Sequence, residues 1–181
     1  MNIKTGIVVD GACAGNPGPS KYRGLDLETG EIVFSTFLEH STNNICEFVA
    51  LCHGIGYCID NHLPLIYSDS TTALSWVKKK EVNSALFSSY TDSKAKIFTK
   101  RCLTFLKSLE IEDEREYLVI NGFLIVKRWE TKWWGENPAD YGHKKVYFKP
   151  KQENKLSLSE IGNKIVVPEN YYNNLQYQNK R

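Results

Sequence analysis

The first half of the chain alternates between short apolar runs and turn-forming residues. Residues 5–9 are apolar and β-branched and end at Asp10, a pattern that predicts a buried strand. Two further strand-like segments, 22–27 and 32–38, are separated by the turn sequence Thr-Gly-Glu at 29–31. We therefore expect three consecutive antiparallel strands at the start of the fold.

Helical periodicity begins after a cluster of capping residues at 41–44. Apolar residues recur at three- and four-residue spacing over 48–59, which predicts an amphipathic helix. The short apolar run at 64–68 predicts a fourth strand. Residues 69–71 are suited to cap a second helix that runs through Val77.

The second half of the chain predicts another helix over 90–109 and a hairpin. The hairpin strands 117–120 and 123–126 flank Asn-Gly at 121–122, the dipeptide most typical of tight hairpin turns. A last helix is expected over 138–146, opened by a proline. This order predicts an α/β fold with a mixed five-stranded sheet flanked by helices, the first three strands antiparallel and the later ones parallel.

Composition narrows the class of protein further. The chain has 181 residues, 41% of them hydrophobic, which suits one domain with a buried core. The formal net charge of +2 excludes a polybasic binder on bulk charge, although not a local basic patch. Apolar runs are too short for a membrane span, and the N-terminal residues do not resemble a signal peptide.

Polar composition divides the chain into two parts. Residues 1–149 contain nearly all the periodic patterns, whereas 150–181 form a polar extension rich in Asn, Gln and Tyr, whose role is unknown. The five cysteines are odd in number and contain no Cys-x-x-Cys pair. This usage disfavours a disulfide framework or a zinc site and favours a cytoplasmic location.

Four carboxylates stand where polar side chains are least expected: Asp10 and Asp69 directly after strands, Glu47 in an apolar helix, and Asp140 at the start of the last helix. A single Asp after a strand is usually a turn former or a helix cap. Several such residues in one α/β fold gather at strand ends, where they repel one another unless a cation neutralises them. Oxygen-only ligands suit Mg²⁺ or Mn²⁺, and two such ions promote phosphodiester hydrolysis.

Three motifs resemble the type 1 ribonuclease H family. They are Asp-Gly-Ala-Cys-Ala-Gly-Asn-Pro-Gly-Pro at 10–19, Ser-Thr-Asn-Asn-Ile-Cys-Glu at 41–47 and Tyr-Ser-Asp-Ser at 67–70. The segment Gly-Glu-Asn-Pro-Ala-Asp at 135–140 is similar to the final helix of some bacterial and phage-type members. The resemblance extends over about residues 5–146.

This resemblance implies a ribonuclease H-like catalytic domain over 1–149 that cleaves the RNA strand of RNA–DNA hybrids with two Mg²⁺ or Mn²⁺ ions, leaving a 3′-hydroxyl and a 5′-phosphate. Its catalytic, metal-binding carboxylates map onto Asp10, Glu47, Asp69 and Asp140. Asp10 is expected to bridge both ions. Glu47 and Asp69 would hold the ion on the leaving side, and Asp140 the ion that presents the water.

One feature departs from the family pattern. Many relatives carry a His in the loop before the last Asp, and here the loop 130–137 has none. Glu136 or Lys132 could substitute, or the step could proceed through bulk water. His143 could approach from the helix or be an ordinary surface residue. We expect the missing His to lower the rate without abolishing hydrolysis, since the ions carry most of the charge stabilisation.

The resemblance also suggests substrate contacts. Asn16 and Asn44 are expected near the ribose 2′-hydroxyls, which distinguish RNA from DNA. The alternative is that these amides only cap a helix or a turn. The candidate hybrid contacts in these loops are Gly11, Cys13, Asn16, Asn43, Asn44 and Ser70.

Residues 78–101 contain seven basic and two acidic side chains. A charged helix face is usually only solvated, but in this family the corresponding region can carry a basic protrusion that grips the DNA strand. Lys78, Lys79 and Lys80 are therefore candidate phosphate contacts. The acidic segment 110–114 is expected to face away from nucleic acid.

Three tryptophans have competing interpretations. Trp76 is a candidate to stack on a sugar or base, with core packing as the alternative. Trp133 and Trp134 either contact substrate or pin their loop to the body, and pinning is favoured.

The resulting hypothesis is a monomeric, metal-dependent ribonuclease H acting on RNA–DNA hybrids, with no membrane partner. The alternative from another class is a non-catalytic hybrid- or RNA-binding module on the same fold. A 3′ exonuclease or an integrase would share the fold too, but the Gly-Asn-Pro-Gly loop at 15–18 and the start of the Glu47 helix argue against both.

Overall fold

The computed structural model describes residues 5–84 and 93–140. The strands are β1 (Ile7–Cys13), β2 (Ser20–Asp26), β3 (Ile32–Phe37), β4 (Leu65–Ser68), β5 (Ile111–Asp113), β6 (Tyr117–Ile120) and β7 (Leu124–Arg128). The helices are α1 (Asn43–Asp60), α2 (Thr71–Lys79), α3 (Lys94–Lys107) and α4 (Thr131–Trp134). Among these helices, none has the length and apolar character that crossing a membrane requires.

All seven strands belong to one mixed sheet of order β3-β2-β1-β4-β7-β6-β5. The first three strands are antiparallel, whereas β4 runs parallel to β1 and β7 parallel to β4. The hairpin β6–β7 and the short strand β5 extend the sheet in antiparallel fashion. The mixed α/β fold class predicted from the sequence is confirmed.

The sheet has seven strands where five were expected, because the last part of the chain contributes three. The predicted hairpin supplies β6 and β7, and the acidic segment at Ile111–Asp113 adds β5 at the edge. Two of the three β5 residues are exposed acids. Such a strand lacks the apolar alternation that predicts strands from sequence.

Hydroxyl side chains cap the three longer helices at their N-termini. Thr42 accepts a hydrogen bond from the Ile45 N–H at 3.2 Å, and Ser70 accepts one from the Ala73 N–H at 3.1 Å. Ser93 caps α3 in the same way. These caps fix where α1 and α2 begin, which places their first turns beside the carboxyl ends of β1 and β4.

Side chains of β1 alternate between two cores on opposite faces of the sheet. Ile7 and Val9 pack into the large core beneath α1, α2 and α3. Val8 faces the smaller cluster formed with Tyr67 and Trp129. Because alternation continues along the strand, Asp10 lies on the face of Val8, opposite to the large core.

Two glycines allow α1 to pack closely on the sheet. A Cβ at Gly11 would lie 2.9 Å from the backbone of Cys46 and Glu47. A Cβ at Gly54 would lie 2.4 Å from the Ile66 side chain. Gly11 therefore permits the approach that brings the Glu47 segment against β1, beside Asp10.

The final helix predicted over 138–146 falls largely outside the described residues, which end at a turn through Asp140. The polar extension 150–181 lies outside them as well. The division into a domain over 1–149 and an extension thus stays a prediction.

Candidate active site

Three carboxylates converge at one edge of the sheet. Asp10 lies near the middle of β1, Glu47 in the second turn of α1, and Asp69 directly after β4. One ligand oxygen from each lies within 4.8 Å of the other two. Asp10 is only 7% exposed, whereas the other two are half-buried. The parallel pairing of β1 with β4 brings their two carboxylates together. The sequence predicted this convergence but had the first strand end at Asp10, whereas β1 continues to Cys13 because Gly11, Ala12 and Cys13 also pair with β2.

These carboxylates line a pocket of about 450 Å³. Its remaining polar lining comes from the loop after β1, the first turns of α1 and α2, and two residues near the end of the described chain. Those residues are Cys13, Asn43, Asn44, Ser70, Thr71, Thr72, Thr131 and Asp140. The structure therefore brings Asp140, the fourth predicted carboxylate, to the same pocket, with its side chain exposed.

The pocket disfavours the ionised form of the Asp69 carboxyl. Burial raises the pKa of the Asp69 carboxyl above its usual value, and the nearby charge of Asp140 adds to the effect. A hydrogen bond from Asn137 and the charge of Arg128 act in the opposite direction without cancelling it. Such a cluster favours a cation among its oxygens.

Asn137 connects the segment that bears Asp140 to β1. Its amide nitrogen donates to the Val9 carbonyl at 3.1 Å, and its amide oxygen accepts from the Ala139 N–H at 2.8 Å. The backbone N–H of Asp140 donates to the Asn137 carbonyl at 2.9 Å. Asn137 is 5% exposed, so its side chain is a buried polar bridge between β1, Asp69 and this turn.

Arg23 fixes the same segment from β2. Its Nε donates to the Ala139 carbonyl at 2.7 Å and its Nη2 to the Asp140 carbonyl at 2.9 Å. Neither Arg23 nor Asn137 was predicted from the sequence to belong to the site. Only the position of Asn137, three residues before Asp140, could have indicated a role.

The predicted substrate contacts have mixed placements. Gly11, Asn43 and Asn44 line the pocket. Asn16 is not part of the lining, and its side-chain oxygen accepts from the Asn43 N–H at 3.1 Å. Ser70 lines the pocket, yet its hydroxyl oxygen serves as the α2 cap. The capping interpretation therefore describes the observed bonds of Asn16 and Ser70.

The cysteines pack as thiols. Cys13 lines the pocket, and its Sγ donates to the Ser41 carbonyl at 3.0 Å. Burial raises the pKa of the Cys46 thiol well above its usual value, and that of Cys58 to about 12. All five cysteines are free thiols.

Trp76 and Lys80 belong to the scaffold in the described structure. Trp76 is 8% exposed and its ring meets that of Phe48 edge-on at 5.7 Å. Trp76 is thus placed for core packing, the alternative to base stacking that the sequence left open. Lys80 adopts a left-handed backbone conformation at the end of α2, and its Nζ donates to the Leu109 carbonyl.

Lys78 and Lys79 are exposed on α2. Lys78 forms an ion pair with Asp113 at 2.7 Å. The acidic segment 110–114, expected to face away from nucleic acid, therefore contacts the basic run through Asp113. The reason is β5, which places Asp113 at the sheet edge beside α2.

The two adjacent tryptophans have different environments. Trp134 packs edge-on against Tyr67 and Trp129 at 5.5 and 5.4 Å, and so pins the loop as favoured from the sequence. Trp133 is 68% exposed. Glu136 is also exposed and is not part of the pocket lining, and His143 lies outside the described residues.

The donor set of the pocket fits a hard divalent cation. The three clustered ligands are all carboxylates, and within the described residues no histidine lines the pocket. The one thiol in the lining donates its hydrogen to a carbonyl. Asp10, Glu47 and Asp69 would hold an ion such as Mg²⁺ or Mn²⁺, whereas Asp140 lines the same pocket without belonging to this 4.8 Å cluster.

Three carboxylates from β1, α1 and the residue after β4 thus share one pocket beside two adjacent parallel strands, a position at which α/β folds commonly bind ligands. The ribonuclease H family model matches residues 3–113, more than half of the chain, so the chain belongs to the ribonuclease H family. This match includes Asp10, Glu47 and Asp69 and ends before Asp140.

Ribonuclease H of Thermoanaerobacter sp. (strain X514) is 31% identical over 111 residues, which are 58% of this chain and 72% of that protein. Ribonuclease H of Ehrlichia ruminantium (strain Gardel) is 31% identical over 85 residues, or 44% of this chain. The chain thus spans 58% of the length of this second relative.

Two solved structures that are similar to this chain have lower sequence identity. The structure of LC11-RNase H1 in complex with RNA/DNA hybrid is 19% identical, covers 68% of this chain and 83% of that chain, and has a TM-score of 0.38. RNase H1 from the halophilic archaeon Halobacterium salinarum NRC-1 is 21% identical, covers 54% of this chain and 75% of that chain, and has a TM-score of 0.34.

Proposed function

We propose that this protein hydrolyses the RNA strand of RNA–DNA hybrids with the help of two divalent ions, Mg²⁺ or Mn²⁺. The observation that supports this proposal most directly is the set of three carboxylate oxygens within 4.8 Å of one another, in a pocket that Asp140 also lines. Bound ions would neutralise these carboxylates, activate water and stabilise charge on the leaving oxygen. We expect a 3′-hydroxyl and a 5′-phosphate as product ends.

Two helix N-termini face the pocket and suit a phosphodiester. The first turns of α1 and α2 contribute Asn43, Asn44, Thr71 and Thr72 to the lining. Neither helix has an acidic residue in its first turn. The partial positive charge of both helix ends therefore favours an anionic phosphate group in front of the carboxylates.

Choice of RNA over DNA would depend on the amides at the start of α1. Asn44 and Asn43 present donors and acceptors suited to a ribose 2′-hydroxyl. Asn16 would act by holding the Asn43 backbone in place. Arg23 and Asn137 would keep the Asp140 segment in register with Asp10 and Asp69.

A cleavage assay tests this proposal. Labelled RNA–DNA hybrid, double-stranded RNA and duplex DNA are incubated with the full chain, with and without Mg²⁺ or Mn²⁺. We expect cleavage of the hybrid alone, only with a divalent ion. Asp10→Asn should lower the rate by at least about a hundredfold while hybrid binding in EDTA is retained.

Glu28→Gln is the matched control, since it removes an exposed carboxylate in the turn after β2. Hybrid cleavage by Asp10→Asn at the wild-type rate would refute the carboxylate assignment. Hybrid binding by the wild type with no cleavage under any ion would favour the non-catalytic binding module instead. The five free thiols are consistent with a reducing, cytoplasmic setting. We expect a monomer, which the elution volume of the chain in gel filtration tests.

A further inference from the structure

A second depression lies beside the carboxylate pocket. This lateral groove, of about 660 Å³, runs between α2 and the hairpin β6–β7. Leu118 and Val126, which pair across the hairpin, form part of its floor. Thr71 lines both the lateral groove and the carboxylate pocket, so the two meet at the first turn of α2.

The groove carries a net positive charge. It is lined by five basic side chains, Lys78, Lys79, Arg115, Lys127 and Arg128, and three acidic ones, Asp113, Glu116 and Glu130. Asp113 pairs with Lys78, and Glu130 lies 3.7 Å from Arg128.

Three of the five cations lie outside these two ion pairs, and one of them, Lys127, has its Nζ over the Trp134 ring at 5.9 Å from the centroid. Within 5–84 and 93–140, Lys79, Arg115 and Lys127 have no carboxylate oxygen within 4.0 Å. Glu116 is the one acid of the lining outside the two ion pairs. The excess of cations favours a ligand with several phosphates over a neutral or cationic one.

An exposed indole stands at the rim. Trp133 is the most exposed of the large hydrophobic side chains in the described chain, at 68%. The Nζ of Lys132 lies over its ring at 5.2 Å from the centroid. An aromatic face beside cations is the combination with which proteins bind single-stranded nucleic acid, because the ring stacks on a base while the cations contact the backbone.

The occupant is expected to be unpaired rather than duplex. In a duplex, both faces of each internal base are covered by neighbouring bases, so Trp133 can stack only on a base that is free of its helix. An acidic peptide would satisfy the cations but offers no base to the indole.

We propose that the lateral groove binds the single-stranded continuation of the RNA strand that crosses the carboxylate pocket. This inference rests on the proposed function, since it takes its substrate strand from there. The residues that distinguish the groove, Arg115, Lys127 and Trp133, all lie beyond the segment 3–113 matched by the family model. They define a subsite for RNA that extends past the end of the hybrid.

The test compares two labelled hybrids that differ only in a six-nucleotide single-stranded RNA overhang. Fluorescence anisotropy in EDTA measures the affinity of the full chain for each, without cleavage, with the overhang placed at either end of the RNA strand. We expect the better overhang to tighten binding at least about fivefold. Replacing the overhang bases by abasic sites should remove most of this gain.

Variants assign the gain to the groove. Trp133→Ala should abolish the preference for the overhang and leave blunt-hybrid affinity unchanged. Phe123→Ala is the matched control, because it removes an exposed aromatic ring at the opposite end of β7. Arg115→Gln should lower the slope of log affinity against log salt for the overhang by about 0.7, the value for one phosphate contact on a single strand, whereas Lys107→Gln, on α3 outside the groove, should not.

The outcomes separate this inference from the proposed function. Metal-dependent cleavage of the blunt hybrid, with no overhang preference or one that Trp133→Ala and Arg115→Gln leave intact, overturns the groove alone. An equal gain from the abasic overhang overturns the stacking role of Trp133. A base-dependent overhang preference that is lost in Trp133→Ala, in a protein that cleaves no hybrid, supports the groove as a single-strand site and refutes the nuclease.

Discussion

Arg23 holds the backbone of Asp140 with a hydrogen bond of 2.9 Å from its Nη2. The same guanidinium bonds the Ala139 carbonyl at 2.7 Å. Arg23 also lies directly opposite Asp10 in the β1–β2 ladder, so its side chain leaves the sheet on the same face. One side chain therefore connects the strand pair that bears one carboxylate to the segment that bears another.

Replacement of Arg23 by Lys should impair turnover more than substrate binding. A lysine keeps the charge but cannot reproduce the two bonds of a planar guanidinium, which leaves the Asp140 segment less well fixed. We expect kcat to fall about three- to tenfold at unchanged KM, the effect of one hydrogen bond. Arg23→Met should cost more than Arg23→Lys. Equal kcat in wild type and both variants would show that these bonds do not position Asp140.

Asn137→Ala should lower both stability and turnover. It leaves the buried Val9 carbonyl without its donor, a loss of about 1–3 kcal/mol of unfolding free energy. Asn137→Asp should be worse for turnover, because a carboxylate cannot donate to Val9 and adds charge beside Asp69. Chemical denaturation and steady-state kinetics measure the two effects.

The control for Asn137 is Asn61→Ala, which removes an exposed amide that bonds the end of α1 at 2.9 Å. It should leave kcat unchanged. If Asn137→Ala shows full turnover per folded molecule, the Asn137 bridge is structural only.

Gly11→Ala should separate Glu47 from Asp10. The added Cβ would lie 2.9 Å from backbone atoms of α1, which cannot move as a flexible side chain can. Overpacking of this kind costs about 1–3 kcal/mol, and relief requires α1 to shift away from β1. We expect weaker binding of Mg²⁺ or Mn²⁺, measured by titration calorimetry on the folded protein.

Gly54→Ala provides the comparison, because its Cβ would meet the side chains of Ile66 and Val9 in the core. It should lower the melting temperature while leaving ion affinity intact. A similar loss of ion affinity in both variants would mean that general loosening of α1, rather than the Gly11 contact, sets the distance between Glu47 and Asp10.

Asp69→Asn should stabilise the metal-free protein at neutral pH. Burial raises the pKa of Asp69 in the folded state above its ordinary 3.8, so folding disfavours the charged form. This loss of folding stability is absent at low pH, where Asp69 is protonated in both the folded and the unfolded state. It is complete above the pKa of Asp69 in the folded state. The variant should therefore melt higher than wild type in EDTA at pH 7 but not near pH 3, with about 2–4 °C expected per kcal/mol.

Calorimetry with added Mg²⁺ extends this test. The ion should raise the melting temperature of wild type more than that of Asp69→Asn, because the variant has lost a ligand. Glu28→Gln, at an exposed turn, should behave as wild type at every pH. A neutral-pH stability for Asp69→Asn below that of wild type would contradict the destabilising role of this charge.

Local patterns were sufficient to predict most elements of the fold. The periodicity of α1, the apolar β-branched run of β1 and the Asn-Gly turn before β7 each depend on nearby residues, and these three elements were confirmed. β5 could not be predicted, because its residues are mostly acidic and exposed. It forms through pairing with β6, and its Asp113 bonds Lys78 across to α2.

In the candidate site, too, features set by local sequence could be predicted, whereas those set by contacts between distant segments could not. The clustering of Asp10, Glu47 and Asp69 was predictable from their positions beside strands and near a helix start, although β1 continues past Asp10 to Cys13. The role of Arg23 could not be predicted. The alternation of side chains along β2 indicates which face of the sheet Arg23 occupies, but not that the segment bearing Asp140 packs against that face. A tryptophan in the sequence is equally compatible with core packing and with stacking on a ligand. Only the burial of Trp76 in the structure distinguishes the two roles.

The lateral groove is found on one side of the carboxylates, where β6 and β7 continue the sheet beyond β4. Because the groove extends from only one side of the carboxylates, it can distinguish the two ends of a bound strand, which has a 5′-to-3′ polarity. If the groove holds unpaired RNA, the chain will bind a junction in one polarity, and cuts will fall at a fixed distance from the point where the hybrid begins. The distance from the β6–β7 hairpin to the carboxylates would then set the position of the cut.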